Sequence, residues 1–317
     1  MMDWTDRHCR FVHRLFSAHT LLYTEMITAP AVIHGPRDRL LGFDPAEQPV
    51  ALQLGGSDPE QLAQATQIAF GYGYQEVNLN CGCPSDRVQS GFFGAVLMER
   101  PGLVAECVAA MIAASPAEVT VKCRIGVDDQ DPEKVLPDFL DQVSRAGVKR
   151  FTIHARKAWL QGLSPKENRD IPPLDYPLVI AMKQQFPHLD ISINGGITSL
   201  DHAVDLLDQG LDGVMIGRAA YHQPADILAN ADARIFGAGT GRSAEQVVAA
   251  MLPYIDTHLS NGGRLHQVTR HMLGLFAGRP GARGWRRVLS EGAHRDGAGT
   301  GLLLQALAEV TAAAQAA

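Results

Sequence analysis

Cys83 stands in Asn80-Cys81-Gly82-Cys83-Pro84, directly after a short apolar run and between a glycine and a proline. A thiol can donate a proton at neutral pH without being charged beforehand, which suits it to protonate a polarised double bond as that bond is reduced. Cys9, Cys107 and Cys123 have apolar neighbours at strand or helix spacing and read as small core side chains. Cys81-x-Cys83 has no second cysteine pair or histidine cluster at ligand spacing, so no metal site is expected.

Lys122 and His154 close two other apolar runs, and both would point into the opening that the run ends form. A lysine there can carry a Schiff base, bind phosphate, or stabilise the negative charge of a reduced flavin, and residue type leaves the three open. His154 reads as a group facing that opening or as a satisfied core histidine. Gln53 ends a further run with an amide able to meet the donor and acceptor edge of a flavin or a base. Asn194-Gly195-Gly196 and Gly217-Arg218 follow two consecutive runs. Glycines let backbone N–H groups approach phosphate oxygens, and Arg218 can add a charge-assisted bond.

The elements that must position these residues alternate along the chain. Strands are predicted at 21–27, 49–54, 76–79, 118–123, 150–154, 190–193 and 212–216, with helical spacing between them. Asp58 and Ser199 sit where they would cap two of the helices. Polar groups concentrate after the strand ends throughout the series and not at one switch point, which favours an α/β fold of the TIM (β/α)8 barrel type over an open doubly wound sheet. Residues 5–18 already read as the first crossover helix, so an eighth strand is expected ahead of residue 1, the chain starting at its truncated tail. The barrel is expected over 1–238. After Gly237-Ala238-Gly239-Thr240-Gly241 the spacing predicts helices at 244–259, 265–275, 283–290 and 302–316, a small all-α domain over 239–317.

Composition sets outer limits. With 46% hydrophobic and 20% charged residues among 317, the chain belongs with folded globular proteins. No apolar run reaches the length of a membrane span, and the charged N-terminus lacks a signal peptide's apolar core, so neither a membrane nor secretion is expected and the cytoplasm is. An odd cysteine count of 5 argues for reduced thiols. The net charge of −6 speaks against general nucleic-acid binding. Its distribution is uneven: Arg264, Arg270, Arg279, Arg283, Arg286 and Arg287 fall in a stretch from 264 to 287 that holds no acid. A local basic face is therefore expected on the helical domain.

Taken together, these motifs are recognisable. The sequence resembles the tRNA-dihydrouridine synthases, most closely their A subfamily, over essentially its whole length. The resemblance is carried by Met1-Met2-Asp3-Trp4-Thr5-Asp6-Arg7-His8, Tyr23-Thr24-Glu25-Met26, Ala51-Leu52-Gln53-Leu54-Gly55-Gly56 and Asn78-Leu79-Asn80-Cys81-Gly82-Cys83-Pro84-Ser85. It continues through His154-Ala155-Arg156-Lys157, Leu163-Ser164-Pro165-Lys166-Glu167-Asn168-Arg169, Asn194-Gly195-Gly196 and Arg270-His271-Met272-Leu273. The chain departs from the family at two places. The apolar strand that normally precedes the double methionine is absent, and Cys81 stands where relatives tend to carry an aliphatic residue and reads as a core side chain.

The resemblance implies FMN in a barrel mouth, NADPH or NADH as reductant, and tRNA as the partner, with no DNA and no obligate protein partner. It implies that Met1, Met2, Gln53, Lys122 and His154 contact the flavin, and that Asn194, Gly195, Gly196, Gly217 and Arg218 hold its phosphate. Cys83 matches the proton donor, and Asn80, Lys166, Arg169, Arg283 and Arg286 match positions that meet tRNA. The implied reaction reduces the C5–C6 double bond of D-loop uridines, at positions 20 and 20a, to dihydrouridine. The rival readings are an FMN barrel oxidoreductase for a small pyrimidine, which leaves the C-terminal arginines without a role, a catalytically weak tRNA-binding protein, and a cofactor-free phosphate-binding barrel.

Overall fold

The computed structural model describes residues 1–85 and 91–315. Its strands are β1 (Leu22–Thr28), β2 (Val50–Gly55), β3 (Glu76–Cys81), β4 (Glu118–Arg124), β5 (Arg150–His154), β6 (Asp190–Asn194) and β7 (Gly213–Met215), each overlapping a run predicted from sequence. They pair in chain order, parallel at every step, so β1 and β7 form the two edges. With helices alternating along it, this curled sheet is the barrel architecture expected. Of the eight predicted strands, the described residues hold the seven that follow residue 1.

β3 shows why the strands sit as they do. All six of its residues are buried. Val77, Leu79 and Cys81 join the main apolar core, while Glu76, Asn78 and Asn80 alternate with them and occupy the opposite face. A strand buried on both faces with one polar face requires partners for every polar group on that face. Those partners come from neighbouring strands and shape the candidate site.

The crossover helices start on side-chain caps. Asp58 accepts a hydrogen bond from the Gln61 amide at 2.9 Å and Ser199 one from the His202 amide at 3.1 Å, as the sequence predicts. Pro59 and Pro132 each open a helix directly after a capping aspartate, where the missing N–H costs nothing.

Four helices close the chain: Ala244–Ser260, Leu265–Thr269, Ala282–Gly292 and Gly301–Gln315; residue 316 of the last prediction lies outside the described residues. The second of them is shorter than predicted. The chain leaves the helix at Arg270, and Gly274 then passes so close to the His222 carbonyl that a Cβ would lie 2.3 Å from its oxygen. Trp285, Met251 and Val310 form the centre of a second apolar core. The helix Arg7–Phe16, predicted as an ordinary crossover helix, gives Val12 and Phe16 to this second core. Its Arg10 and Arg14 turn to the barrel instead, onto the Glu47 carboxylate at 2.6 Å and onto the carbonyls of Glu47, Ser17, Thr20 and Pro49. One helix thus joins the second core to the barrel through polar bonds. No helix among the described residues is long and apolar enough to cross a membrane.

Candidate active site

Of the five cysteines, Cys83 alone is not fully buried. Burial pushes the thiols of Cys107 and Cys123 up to about 12, and those of Cys9 and Cys81 are also raised by burial, so these four are inert at neutral pH. Cys81 lies beside Cys123 in the β3–β4 register and belongs to the core. Cys83 follows the end of β3, where the Asn80 carboxamide oxygen accepts from the backbone N–H groups of Gly82 at 3.0 Å and Cys83 at 2.9 Å. The turn is pinned again by Arg124, whose Nε donates to the Gly82 carbonyl at 2.9 Å. Ser85 Oγ lies 3.7 Å from the thiol.

Gln53 sits one strand away. Asn80 Nδ2 donates to Gln53 Oε1 at 2.8 Å, and Gln53 Nε2 donates to Asn78 Oδ1 at 3.0 Å. Asn78 passes the chain to Thr120 at 2.8 Å, and Thr120 to the Glu76 carboxylate at 2.8 Å, which Tyr23 and Arg150 also meet. Residue types in isolation do not reveal this network. The available signal was the row of polar residues at every second position, Glu76, Asn78, Asn80 and Thr120, Lys122, Arg124, running through two predicted strands and one residue past the predicted end of each.

The β4–β6 register carries Lys122, His154 and Asn194 to the same end of the sheet. Lys122 Nζ donates to Asn194 Oδ1 at 3.0 Å, and Asn194 Nδ2 donates to the Met215 carbonyl at 2.7 Å. Burial, aided by Arg124, lowers the Lys122 ammonium to about 8. His154 is buried, and its Nδ1 has no hydrogen-bond partner; burial and the cations Arg124, Lys122, Arg156 and Arg218 hold it neutral. An unpaired buried ring nitrogen costs on the order of 1–3 kcal/mol and marks a place where a ligand atom is wanted. Gly195 and Gly196 pass directly beside it with φ of 113° and 69°, and a Cβ on Gly195 would lie 3.1 Å from the His154 ring. These glycines form a cradle that a side chain would fill.

Gly217 precedes a short helix, and a Cβ added to it would stand 3.4 Å from Met1 Sδ, so the opening turn and the β7 loop meet. That turn is closed by Trp4 and Thr5 amides donating to the Met1 carbonyl, and Met2 is exposed. Arg218 faces the loop after β5: it pairs with Asp170 at 2.8 Å and donates to the Arg169 carbonyl at 3.3 Å. Lys166 and Arg169 are exposed on that loop. The loop is held by two residues whose role the sequence did not disclose, Asn168, fully buried and bonded to the backbone of Trp159 and Leu163, and Arg124, bonded to the carbonyls of Lys157 and Asn168. Arg124 therefore ties the Cys83 turn to the Lys166–Arg169 loop.

The barrel and the C-terminal helices are joined at Asp6. Its carboxylate caps the first helix through the amides of His8 and Cys9 and receives Arg270 at 2.5 Å and His271 at 3.0 Å. Burial opposes its charge, but the bonds from His271, Cys9 and Arg270 hold the carboxyl far below the usual range. Trp4 stacks on Tyr221 with centroids 4.6 Å apart, and Tyr221 meets His271 at 3.1 Å. Beside this joint lies a cavity of about 380 Å³ lined by Asp6, His8, His258, His266, Gln267 and Arg270, apart from the strand ends. Of the six arginines between 264 and 287, Arg270, Arg279 and Arg287 are drawn to Asp6, Glu245 and Glu309. Arg283 and Arg286 are exposed and have no ion-pair partner among the described residues.

Comparison with known proteins decides the family. The sequence model described as Dihydrouridine synthase (Dus) matches residues 1–315. The chain belongs to the dihydrouridine synthase family. A tRNA-dihydrouridine(20/20a) synthase of Vibrio cholerae is 58% identical over 312 residues, covering 98% of this chain and 94% of that protein. Proteins of the same name from Salmonella typhimurium and Xanthomonas campestris are 59% and 57% identical, covering 97% and 96% of this chain and 92% and 90% of theirs. Among solved structures, morphinone reductase superposes with a TM-score of 0.52 at 15% identity over 77% of this chain and 84% of its own, a likeness of fold. Membership makes the chain an oxidoreductase of dihydrouridine synthesis.

Proposed function

We propose that the protein reduces the C5–C6 double bond of tRNA uridines to dihydrouridine in the cytoplasm, at positions 20 and 20a of the D-loop, with FMN as cofactor and NADPH, or NADH, as reductant. The observation that carries this reading is the unpaired His154 Nδ1 against the Gly195–Gly196 cradle, at the same strand ends as Gln53, Lys122 and the Cys83 turn. A planar, anionic cofactor with a phosphate tail fits that set. Gln53, Lys122 and His154 would hold its ring with Met1 and Met2 alongside, and Asn194, Gly195, Gly196, Gly217 and Arg218 its phosphate. Arg218 would exchange its Asp170 contact for that role.

Held by these residues, FMN would supply hydride chemistry, relaying a hydride from the reduced nicotinamide to C6 of the uracil. Cys83 donates its thiol proton to C5, and the resulting thiolate is reprotonated from water, so the ring gains two hydrogens. Asn80 and Gln53 hydrogen-bond at the mouth, and the double bond must reach them by extrusion of the base from its stack. The barrel, 1–238, performs the chemistry, and the helical domain, 239–317, with Arg283 and Arg286 and the Lys166 and Arg169 loop, grips the RNA backbone.

The test is Cys83→Ala. The variant is expected to keep flavin-dependent oxidation of NADPH and to lose dihydrouridine formation in tRNA, read by mass spectrometry. Normal dihydrouridine levels from it would remove Cys83 from the reaction.

A further inference from the structure

We propose that Arg124 is a positioning residue for the proton transfer: it joins the turn that carries Cys83 to the loop that carries Lys166 and Arg169, so that the thiol and that loop keep one fixed relation. This rests on the reading above, in which Cys83 is the acid and the loop meets the RNA.

Arg124 closes β4 and is 3% exposed. Its Nε donates to the Gly82 carbonyl at 2.9 Å, while its Nη1 donates to the carbonyls of Lys157 at 3.0 Å and Asn168 at 2.9 Å. Both polar groups of Gly82 are therefore bonded, the N–H to Asn80 and the carbonyl to Arg124, and the Cys83 N–H is bonded to Asn80 as well. The loop is closed in the same manner. The buried Asn168 carboxamide accepts from the Trp159 amide at 2.7 Å and donates to the carbonyls of Trp159 at 2.9 Å and Leu163 at 3.1 Å. Lys157 and Asn168 bound this knitted segment, and Arg124 holds both.

Burial makes the tie stiff. It lowers the guanidinium only to about 10, so the group stays charged at neutral pH, and no carboxylate among the described residues pairs with it. A buried cation is tolerated when its N–H groups are bonded, and the three carbonyls supply those bonds. Displacing the turn or the loop alone would leave that cation partly unbonded, so the two segments shift together. Proton transfer depends steeply on placement, a displacement of one ångström being worth up to about a hundredfold in rate. Arg124 thus acts on the reaction through the Gly82 peptide, without touching substrate.

The experiment measures two rates in one flavin-loaded protein: reduction of the flavin by NADPH, and dihydrouridine formation by the reduced enzyme at saturating tRNA. Arg124→Lys keeps the charge, but one ammonium cannot replace two nitrogens that serve different segments. The second rate is expected to fall at least about tenfold relative to the first. Asn168→Ala removes side-chain bonds that lie wholly within the loop, and it should lower the same ratio at least about threefold. In the double variant the ratio should be no lower than in Arg124→Lys, because the second change has no tie left to act through. An unchanged ratio in Arg124→Lys, a loss that more tRNA restores, or losses that multiply in the double variant overturns the proposal. If Arg124→Lys does not fold, Asn168→Ala decides through the alkylation rate of Cys83 by iodoacetamide: a change of at least about threefold supports the tie, and an unchanged rate overturns it. If wild type forms no dihydrouridine, the proposed function falls and this proposal with it. Dihydrouridine formation with an unaltered ratio in Arg124→Lys sinks this proposal alone.

Discussion

Asp6 and Arg270 stand 264 positions apart in the chain and 2.5 Å apart in the fold. The same carboxylate caps the first helix and holds His271, so one side chain closes a helix end and fastens the helical part to the barrel. Asp6→Ala removes a cap, worth about 1 kcal/mol, and leaves Arg270 and His271 without their acceptor, so a total loss of roughly 2–3 kcal/mol is expected. Urea unfolding measures it. A midpoint unchanged from wild type would show that the joint contributes nothing to stability.

Acid should weaken the fold well above the range where carboxylates protonate. His13 is buried against Cys9, and burial, with His271 nearby, lowers it to about 4. Its folded value lies below the ordinary 6.5, so between those values the unfolded chain binds the extra proton and stability falls as pH falls. The window is about 6.5 down to about 4, and His13 alone accounts for about 2 kcal/mol between pH 7 and pH 5. His8, also lowered to about 4 by burial, acts in the same direction. His13→Leu is expected to flatten the pH dependence of the unfolding midpoint by its share; an unaltered slope would assign the acid sensitivity elsewhere.

Gly195→Ala tests the cradle. The backbone there has φ of 113°, and the new methyl would press on the His154 ring at 3.1 Å. Strain of this kind costs about 1–3 kcal/mol. The variant should fold with reduced stability and purify with less flavin per chain, read from the flavin absorption band. Full flavin content would place the cofactor's phosphate at another loop.

Arg283→Ala with Arg286→Ala should weaken tRNA binding at low salt and reduce the slope of log affinity against log salt by roughly one to two. Both residues are exposed and free of ion pairs among the described residues, so stability should change little. Arg279→Ala is the internal comparison, because Arg279 is already occupied by Glu245 and should alter the salt slope less. Identical slopes for the double variant and wild type would move the RNA-binding face elsewhere.

The strands were legible because β-branched apolar runs ending in polar residues have few other uses, and all seven predicted runs hold a strand. The helix 5–18 was legible as a helix but not in its placement, since an amphipathic period does not say which of two apolar cores it serves. Cys83, Gln53, Lys122, His154 and the glycine pairs could be picked out from their positions at strand ends. Arg124, Asn168 and Glu76 could not, because their partners lie 42 or more positions away or on loop backbone.

Asn80 and the 264–287 arginines mark the boundary between the two sources. Sequence by itself determined the residue types, their order along parallel strands, and that a stretch without acids carries six arginines. Only the tertiary structure decided which of those arginines keep their charge for a partner, by bringing Asp6, Glu245 and Glu309 to three of them. It likewise decided which way the Asn80 amide faces. An amide is chemically two-sided, and its polarity becomes definite only when fixed donors and acceptors from other strands surround it.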